Sequence, residues 1–423
     1  MNVKVRSSRI KGDIYAPMSK SYTHRAIAIA SLGEISNIKY HLLSGDTMAT
    51  VRACEALGAT IEDREDVLNV AGVGGLPKTP DDVIYVANSG TSLRFMTAIA
   101  SLIEGTAVLT GDSSLRVRPN DPLLKAINDL GARAFSTKED GTAPIVVQGK
   151  LLGGETILDG SISSQFISGL LMACPFAEKD TVIKIDGELI SKPYVEMTLE
   201  MLEKTGAKIT TDFKEFVIPC DQAFDLRSYV VPGDFSSASY ILAATAMTNS
   251  KSRVRNLFPS KQGDVAIISI LEKMGANISW DQTEGIVNLD GADLEGIEID
   301  AGDIPDLVPT IAVLGAVAEG TTTISNAKHL RYKETDRLHA MTSELRKMGV
   351  KIEEKTDGMI IEGTRIHGAK LHDYNDHRIV MALTIAGLVA EGETVINNAE
   401  CVEVSYPGFF DDLYGMGANL EVE

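Results

Sequence analysis

The residues best equipped for chemistry lie where helices begin. The segment Ala16-Pro17-Met18-Ser19-Lys20-Ser21-Tyr22-Thr23-His24-Arg25 leads into an apolar run, Ala26 to Leu32. Pro17 disfavours helix at Ala16, and Ser19 or Ser21 suits the cap of the helix that follows. Lys20 then stands at a helix N-terminus, where unsatisfied backbone N–H groups and the macrodipole already favour an anion. Arg25 comes four residues after Ser21, so its guanidinium shares that face. Alone, such a segment is more often a capped helix carrying two solvated cations. A second cluster, Lys333-Glu334-Thr335-Asp336-Arg337, places Lys333 and Arg337 at i,i+4 spacing on one expected helical face, with Glu334 beside them. A carboxylate among cations is usually a structural ion pair. It is also how an acid or base is stationed next to a phosphorylated ligand. Arg94, Arg118 and Arg378 lie at or just inside comparable polar starts.

The elements that carry these clusters repeat. A glycine closes a helical stretch at Gly58, Gly131, Gly206, Gly275, Gly349 and Gly417, spaced 68–75 residues apart. Each suits the left-handed position that ends a helix, and each is followed by an alternating strand. In five of the six, a turn and a second strand complete a hairpin, as in Met359-Ile360-Ile361-Glu362. An amphipathic helix precedes each glycine, clearest over Lys333–Met348 with Leu338, Met341, Leu345 and Met348 on one face. Earlier in each repeat comes an Ala-rich helix that is apolar nearly all round and therefore buried. One unit reads strand, buried helix, strand, amphipathic helix, hairpin. The sixth stops at Asn419-Leu420-Glu421-Val422-Glu423 without its last strand, and Asn2-Val3-Lys4-Val5-Arg6 is a spare one. The spacing predicts an α/β chain of two pseudo-symmetric domains, each built from three βαβαββ repeats, with a site in the cleft between them. One domain is expected over 18–232, the other over 1–17 plus 233–423.

The buried helices all begin with polar clusters: Ser19-Lys20-Ser21, Asn88-Ser89-Gly90-Thr91, Ser161-Ile162-Ser163-Ser164-Gln165, Gly233-Asp234-Phe235-Ser236-Ser237, Gly302-Asp303-Ile304-Pro305-Asp306 and Asn375-Asp376-His377-Arg378. They fit ordinary N-caps, or a set of helix ends arranged to hold anions. The six cations tip the balance towards the second. Composition narrows the partners. A net charge of −19 argues against nucleic acid or an anionic membrane surface. No apolar run approaches the roughly 18 residues of a membrane span. The four cysteines, Cys54, Cys174, Cys220 and Cys401, form no C-x-x-C pair. With no signal-like N-terminus, that predicts a reduced, cytoplasmic protein.

Taken together, SKSYTHRA, NSGTSLR, LTGDSSLRVRP, GSISSQF, ISKPY, GDFSSASY, IPD, KETDR, NDHR and YPGFF resemble, in order, the motifs of the 5-enolpyruvylshikimate-3-phosphate synthase family. The resemblance covers essentially the whole chain. It implies the same fold, as two inverse α/β domains. It implies transfer of the enolpyruvyl group of phosphoenolpyruvate (PEP) to the 5-hydroxyl of shikimate 3-phosphate, releasing phosphate, without metal or organic cofactor. It implies that Lys20, Ser21, Arg25, Ser163, Ser164, Gln165, Ser191, Tyr194, Asp306, His329 and Lys333 bind shikimate 3-phosphate. Lys20, Gly90, Arg118 and Gln165, with Arg337 and Arg378 on the carboxylate, would hold PEP. Glu334 would be the acid towards the PEP methylene, and Asp306, helped by Lys20, the base on the hydroxyl. By analogy the protein would be a monomer.

One position departs from the family. Its usual PEP-contacting lysine, three residues before the proline at Pro407, is Val404 here, next to Glu403. Lys328 or Arg331 are the candidates to replace it. His329 stands where many relatives carry asparagine. Two alternatives compete. A paralogous enolpyruvyl transferase acting on UDP-N-acetylglucosamine carries a catalytic cysteine where this chain has Ser113. A non-catalytic anion-binding scaffold would not need Lys20, Asp306, Glu334 and the arginines together. Phosphate release from PEP with shikimate 3-phosphate separates all three.

Overall fold

The computed structural model describes all of residues 1–423. The chain divides into two compact units, Met18–Val231 and Met1–Pro17 with Pro232–Glu423. Six four-stranded sheets share one strand order. In each, an edge strand runs parallel to its neighbour, the second hairpin strand pairs antiparallel with that neighbour, and the first hairpin strand lies outermost. The sheet Glu298–Asp300, Thr321–Ser325, Gly358–Glu362, Lys351–Lys355 is representative.

In the unit Met18–Val231 the buried helices are Lys20–Leu32, Gly90–Ala100 and Ser164–Ala173. Their apolar side chains form one core with the inner faces of three sheets. Its first repeat takes its parallel edge strand, Ser228–Val230, from the far end of the unit, paired with Asn37–Lys39. The other unit is built the same way around Phe235–Met247, Val308–Val317 and His377–Gly387.

The N-terminal segment contributes two strands to that second unit. Asn2–Arg6 lies between Glu393–Asn397 and Asn419–Val422, with Val3 and Val5 fully buried. Gly12–Tyr15 pairs parallel with Lys251–Arg255 and serves as the edge strand of the fourth repeat. Sequence periodicity pointed to neither Gly12–Tyr15 nor Ser228–Val230 as a repeat's missing strand. Both are short edge strands with little alternating burial. The glycines that close the amphipathic helices all have positive φ, from 87° at Gly206 to 104° at Gly58. At five of them, all but Gly131, the next N–H reaches back five residues, as from Val350 to the Leu345 carbonyl, ending the helix in a Schellman-type turn.

One helix starts later than its periodicity implies. The helix expected from Lys333 begins at Arg337, with Asp336 as its N-cap accepting from His339 N–H at 3.1 Å. Lys333 and Glu334 therefore precede the helix and do not share a helical face with Arg337. Asp336 holds extended backbone (φ −69°, ψ 92°), which stops the helix from propagating back.

Candidate active site

In the unit Met18–Val231, three buried helix starts carry the expected residues. Ser19 caps the first, so Lys20 is its first residue. The Lys20 ammonium lies 2.8 Å from Asp46, near the start of the helix Gly45–Ala56. Burial alone would raise the Asp46 carboxyl, but Lys20 and His24 outweigh it and hold Asp46 well below the usual range. Arg25 is 2% exposed and has no carboxylate beside it. It donates to Thr198 Oγ1 (2.8 Å), the Ser21 and Tyr194 carbonyls (2.9 Å each) and Ser168 Oγ at 3.5 Å. Burial lowers its guanidinium to about 10. The arginine thus ties the first helix start to Tyr194 and to the helix Lys192–Lys204. Ser191, the N-cap of that helix, is left-handed at φ 53°, a strain in a non-glycine residue that clusters at functional sites.

The second and third starts are coupled by Arg94. Its Nη1 donates to Gln165 Oε1 (2.7 Å) and Ser163 Oγ (3.2 Å), and its plane covers the Phe166 ring. Gln165 Nε2 then donates to Thr91 Oγ1 at 2.9 Å. Ser163 caps its helix, accepting from Gln165 N–H, and Ser164 is its buried first residue. Gly90 opens the second helix against Arg118: a Cβ built there would lie 2.8 Å from Arg118 Nη1. Any side chain at 90 would displace that guanidinium.

In the other unit the cations are laced with carboxylates. Arg337, 1% exposed, donates Nε to Asp376 (2.8 Å), Nη1 to Asp306 (3.0 Å) and Nη2 to Glu334 (2.7 Å). Arg378 Nη2 donates to the other Asp306 oxygen at 2.7 Å. Asp306 therefore bridges the two arginines. Burial would lower Arg337, but Asp376, Glu334 and Asp306 raise it, so it stays charged. Asp376 does double duty, capping His377–Gly387 through Arg378 N–H. His329 sits buried in the turn Lys328–Tyr332, its Nε2 without a hydrogen-bond partner. Burial first, then Lys333 and Arg337, push its imidazole down to about 3, so it is neutral. Lys333 is half-buried just beyond that turn.

The sequence assigned no role to several residues that build these arrangements. Arg94 stood only as one more cation, and Asp376 only as part of NDHR. Asp264 lies in Gln262-Gly263-Asp264, fully buried, accepting from Ser236 Oγ at 2.6 Å. Burial and the nearby Asp306 charge push its carboxyl up to about 7. Of the two candidates to replace the missing lysine, Arg331 is engaged with Asp336, Glu354 and the Thr356 and Lys355 carbonyls. Lys328 is exposed, and Val404 ends the turn Ala399–Val404, half-buried.

Comparison with known proteins agrees over the full length. A family model described as EPSP synthase (3-phosphoshikimate 1-carboxyvinyltransferase) matches residues 5–413. The 3-phosphoshikimate 1-carboxyvinyltransferase of Methanocella arvoryzae is 59% identical over 422 residues, covering 100% of both chains. That of Methanocaldococcus jannaschii is 49% identical, over 99% of this chain and 98% of the relative. Among solved structures, EPSP synthase from Acinetobacter baumannii superposes with a TM-score of 0.84 at 28% identity, over 100% of this chain and 99% of that one. From the motif order, the repeated fold and these full-length matches, the chain belongs to the EPSP synthase family.

Proposed function

We propose that this chain transfers the enolpyruvyl group of PEP to the 5-hydroxyl of shikimate 3-phosphate, releasing phosphate, with its two units dividing the work. Residues of Met18–Val231 supply anion binding. Ser21, Arg25, Ser163, Ser164, Gln165, Ser191 and Tyr194 take shikimate 3-phosphate, and Lys20, Gly90 and Arg118 the PEP phosphate. Serine hydroxyls and the Arg25 guanidinium, whose hydrogen bonds go to hydroxyls and carbonyls, are suited to holding a phosphate. Residues of the other unit supply proton transfer. Lys333 and His329 serve the shikimate ring, Arg337 and Arg378 the PEP carboxylate, and Asp306 and Glu334 the protons.

The observation that carries this assignment is the Asp306 bridge between Arg337 and Arg378, with Glu334 on the same Arg337 guanidinium. A substrate carboxylate at the arginines competes with Asp306 and Glu334 for the same N–H donors. A carboxylate that loses a cationic partner becomes the stronger base. Glu334 then takes a proton and delivers it to the PEP methylene, making C2 electrophilic. Asp306, helped by Lys20, removes the proton of the attacking hydroxyl. The tetrahedral adduct's new methyl group then gives a proton back to Glu334 as the C–O bond to phosphate breaks, with Lys20 assisting the leaving phosphate, which restores the carbon–carbon double bond. Positioned charges do the rest by orientation and by stabilising developing negative charge.

No helix is long and apolar enough to cross a membrane. Four free cysteines fit a reduced cytoplasmic compartment, and we take the working form to be a monomer. The test is stoichiometric phosphate release on mixing the chain with PEP and shikimate 3-phosphate. Release with PEP and shikimate 3-phosphate, and none with PEP and UDP-N-acetylglucosamine, is expected. No release under saturating conditions overturns the assignment.

A further inference from the structure

Beneath Lys20 runs a buried polar chain that the proposed chemistry does not use. His24 lies one helical turn after Lys20, with no exposed surface. Its Nε2 faces Asp46 Oδ1 at 3.5 Å, while Asp46 Oδ2 takes the Lys20 ammonium at 2.8 Å. On the other side of the ring, Nδ1 lies 2.6 Å from Thr50 Oγ1. Thr50 Oγ1 is 2.7 Å from Ser92 Oγ, which is 2.7 Å from Ser89 Oγ. Ser89 is the N-cap of the helix that opens at Gly90, accepting from Ser92 N–H at 3.1 Å. Thr50, Ser92 and Ser89 are all at most 1% exposed. One continuous chain thus joins the Lys20 ammonium to the helix start at Gly90.

The direction of the hydrogens follows from the ends of the chain. Lys20 keeps Asp46 ionised, so a bare Nε2 lone pair against Oδ1 would be repulsive, whereas Nε2–H is attracted. Nδ1 is then the acceptor and needs the Thr50 hydroxyl proton. Thr50 in turn accepts from Ser92, and Ser92 from Ser89. Every hydroxyl donates once, Nδ1 is hydrogen-bonded, and Nε2 meets Asp46 Oδ1 in a charge contact at 3.5 Å, longer than a good hydrogen bond. The tautomer is therefore assigned by the network around it.

Thr50 supplies an independent sign. Thr97, Thr245 and Thr384, in buried helices, return their hydroxyl to the carbonyl four residues back, on Leu93, Ile241 and Val380. Thr50, like Thr310 against Ser239, instead directs its hydroxyl across to another helix. The charged groups facing His24 are Asp46, Lys20 and Arg25; burial, with the two cations, outweighs Asp46 and lowers the imidazole, which keeps it neutral.

We propose that His24, held as the Nε2–H tautomer between Asp46 and the Thr50–Ser92–Ser89 hydroxyl chain, is a positioning residue that fixes Asp46 and thereby aims the Lys20 ammonium relative to the helix start at Gly90. The inference rests on the reading that Lys20 and Gly90 serve the PEP phosphate. A lysine ammonium ends a flexible four-carbon stem, so its aim depends on its carboxylate partner. That carboxylate can rotate unless its second oxygen is also held.

Two measurements test this in the full-length protein. Nitrogen-15 NMR of the histidine rings at neutral pH should show His24 protonated at Nε2 and bare at Nδ1. A His24 spectrum of the Nδ1–H tautomer overturns the proposal whatever the kinetics. Thr50→Val preserves shape but deletes the proton that Nδ1 accepts. It should raise KM for PEP about 10–100-fold, the scale of a misplacement of about an ångström, leaving KM for shikimate 3-phosphate within about twofold. Thr50→Ser restores the hydroxyl and should recover most of the loss. A packing role alone predicts the reverse order, with the isosteric valine better than serine, and that result also overturns the proposal. If Thr50→Val does not fold, the ring spectrum of the parent still decides. Failure of the wider functional assignment reads out separately, as absence of phosphate release by the parent.

Discussion

The two units use one architecture with opposite electrostatics at their helix starts. In Met18–Val231, Arg25 meets Thr198, Ser168 and two backbone oxygens, and the hydrogen bonds of Arg94 include Ser163, Gln165 and Asn120. In the other unit Arg337 meets three carboxylates and Arg378 shares one of them. Lys20, in the same unit as Arg25 and Arg94, pairs with Asp46. A guanidinium among neutral acceptors remains a net positive site and favours anions. A guanidinium among carboxylates is a store of basic groups whose protonation depends on what else binds the cation. On the proposed assignment, one unit holds phosphates and the other moves protons.

The sharpest way to break this contrast is at Glu334. Glu334→Gln keeps size and the hydrogen bond from Arg337 but removes the transferable proton. General acid–base groups contribute about 10²–10⁴-fold, so turnover should fall by that order while calorimetric affinity for shikimate 3-phosphate stays nearly constant. Turnover at the parental rate would remove Glu334 as the acid. In the first unit the matching probe is Arg94→Met. It deletes the donors to Ser163 and Gln165, each such charge-assisted bond contributing about 1.5–3 kcal/mol. Affinity for shikimate 3-phosphate should weaken about 10–150-fold, with turnover at saturation changed far less. A fall in turnover with unchanged affinity would contradict the division.

Val404→Lys sharpens the comparison by adding a cation to the carboxylate-rich unit. A new charge-assisted contact of about 1–2 kcal/mol would lower KM for PEP about 5–30-fold. An unchanged KM means that the position lies out of reach of PEP, or that Glu403 captures the lysine. Arg331 already donates to Asp336 and Glu354.

The smallest expected effect concerns Asp264. Its carboxyl is raised to about 7 by burial and by Asp306, against about 3.9 unfolded. A raised carboxyl favours the folded state fully below the unfolded value, and that contribution is lost as pH rises towards 7. Asp264→Asn mimics the protonated form at every pH. Its melting temperature relative to the parent should therefore increase from pH 5 to pH 8, by a few degrees. A difference that is flat with pH would show that Asp264 is not held protonated.

Much of this was legible in the chain itself, because periodicity reports burial. The all-round apolar helices and the glycines after them mark six repeats, and Val3 and Val5 alternate as a half-buried strand must. Short edge strands such as Gly12–Tyr15 escaped, since an edge strand buries little and carries little pattern. The start of the helix at Arg337 escaped because Asp336 outcompetes the i,i+4 spacing that included Lys333. Site residues were legible where polar types cluster at helix starts. Arg94, Asp376, Asp264 and the His24 chain were not, because their roles depend on partners from 22 residues away, as between His24 and Asp46, to 71, as between Arg94 and Gln165.

The most direct test of the division is deuterium uptake into the PEP methylene, followed by proton NMR in deuterium oxide with shikimate 3-phosphate at saturation. The parent and Arg94→Met should both exchange the methylene protons, because the proton-transferring unit is intact in each. Glu334→Gln should show no exchange while still binding shikimate 3-phosphate. Exchange at the parental rate in Glu334→Gln, or its loss in Arg94→Met at saturation, would contradict the account.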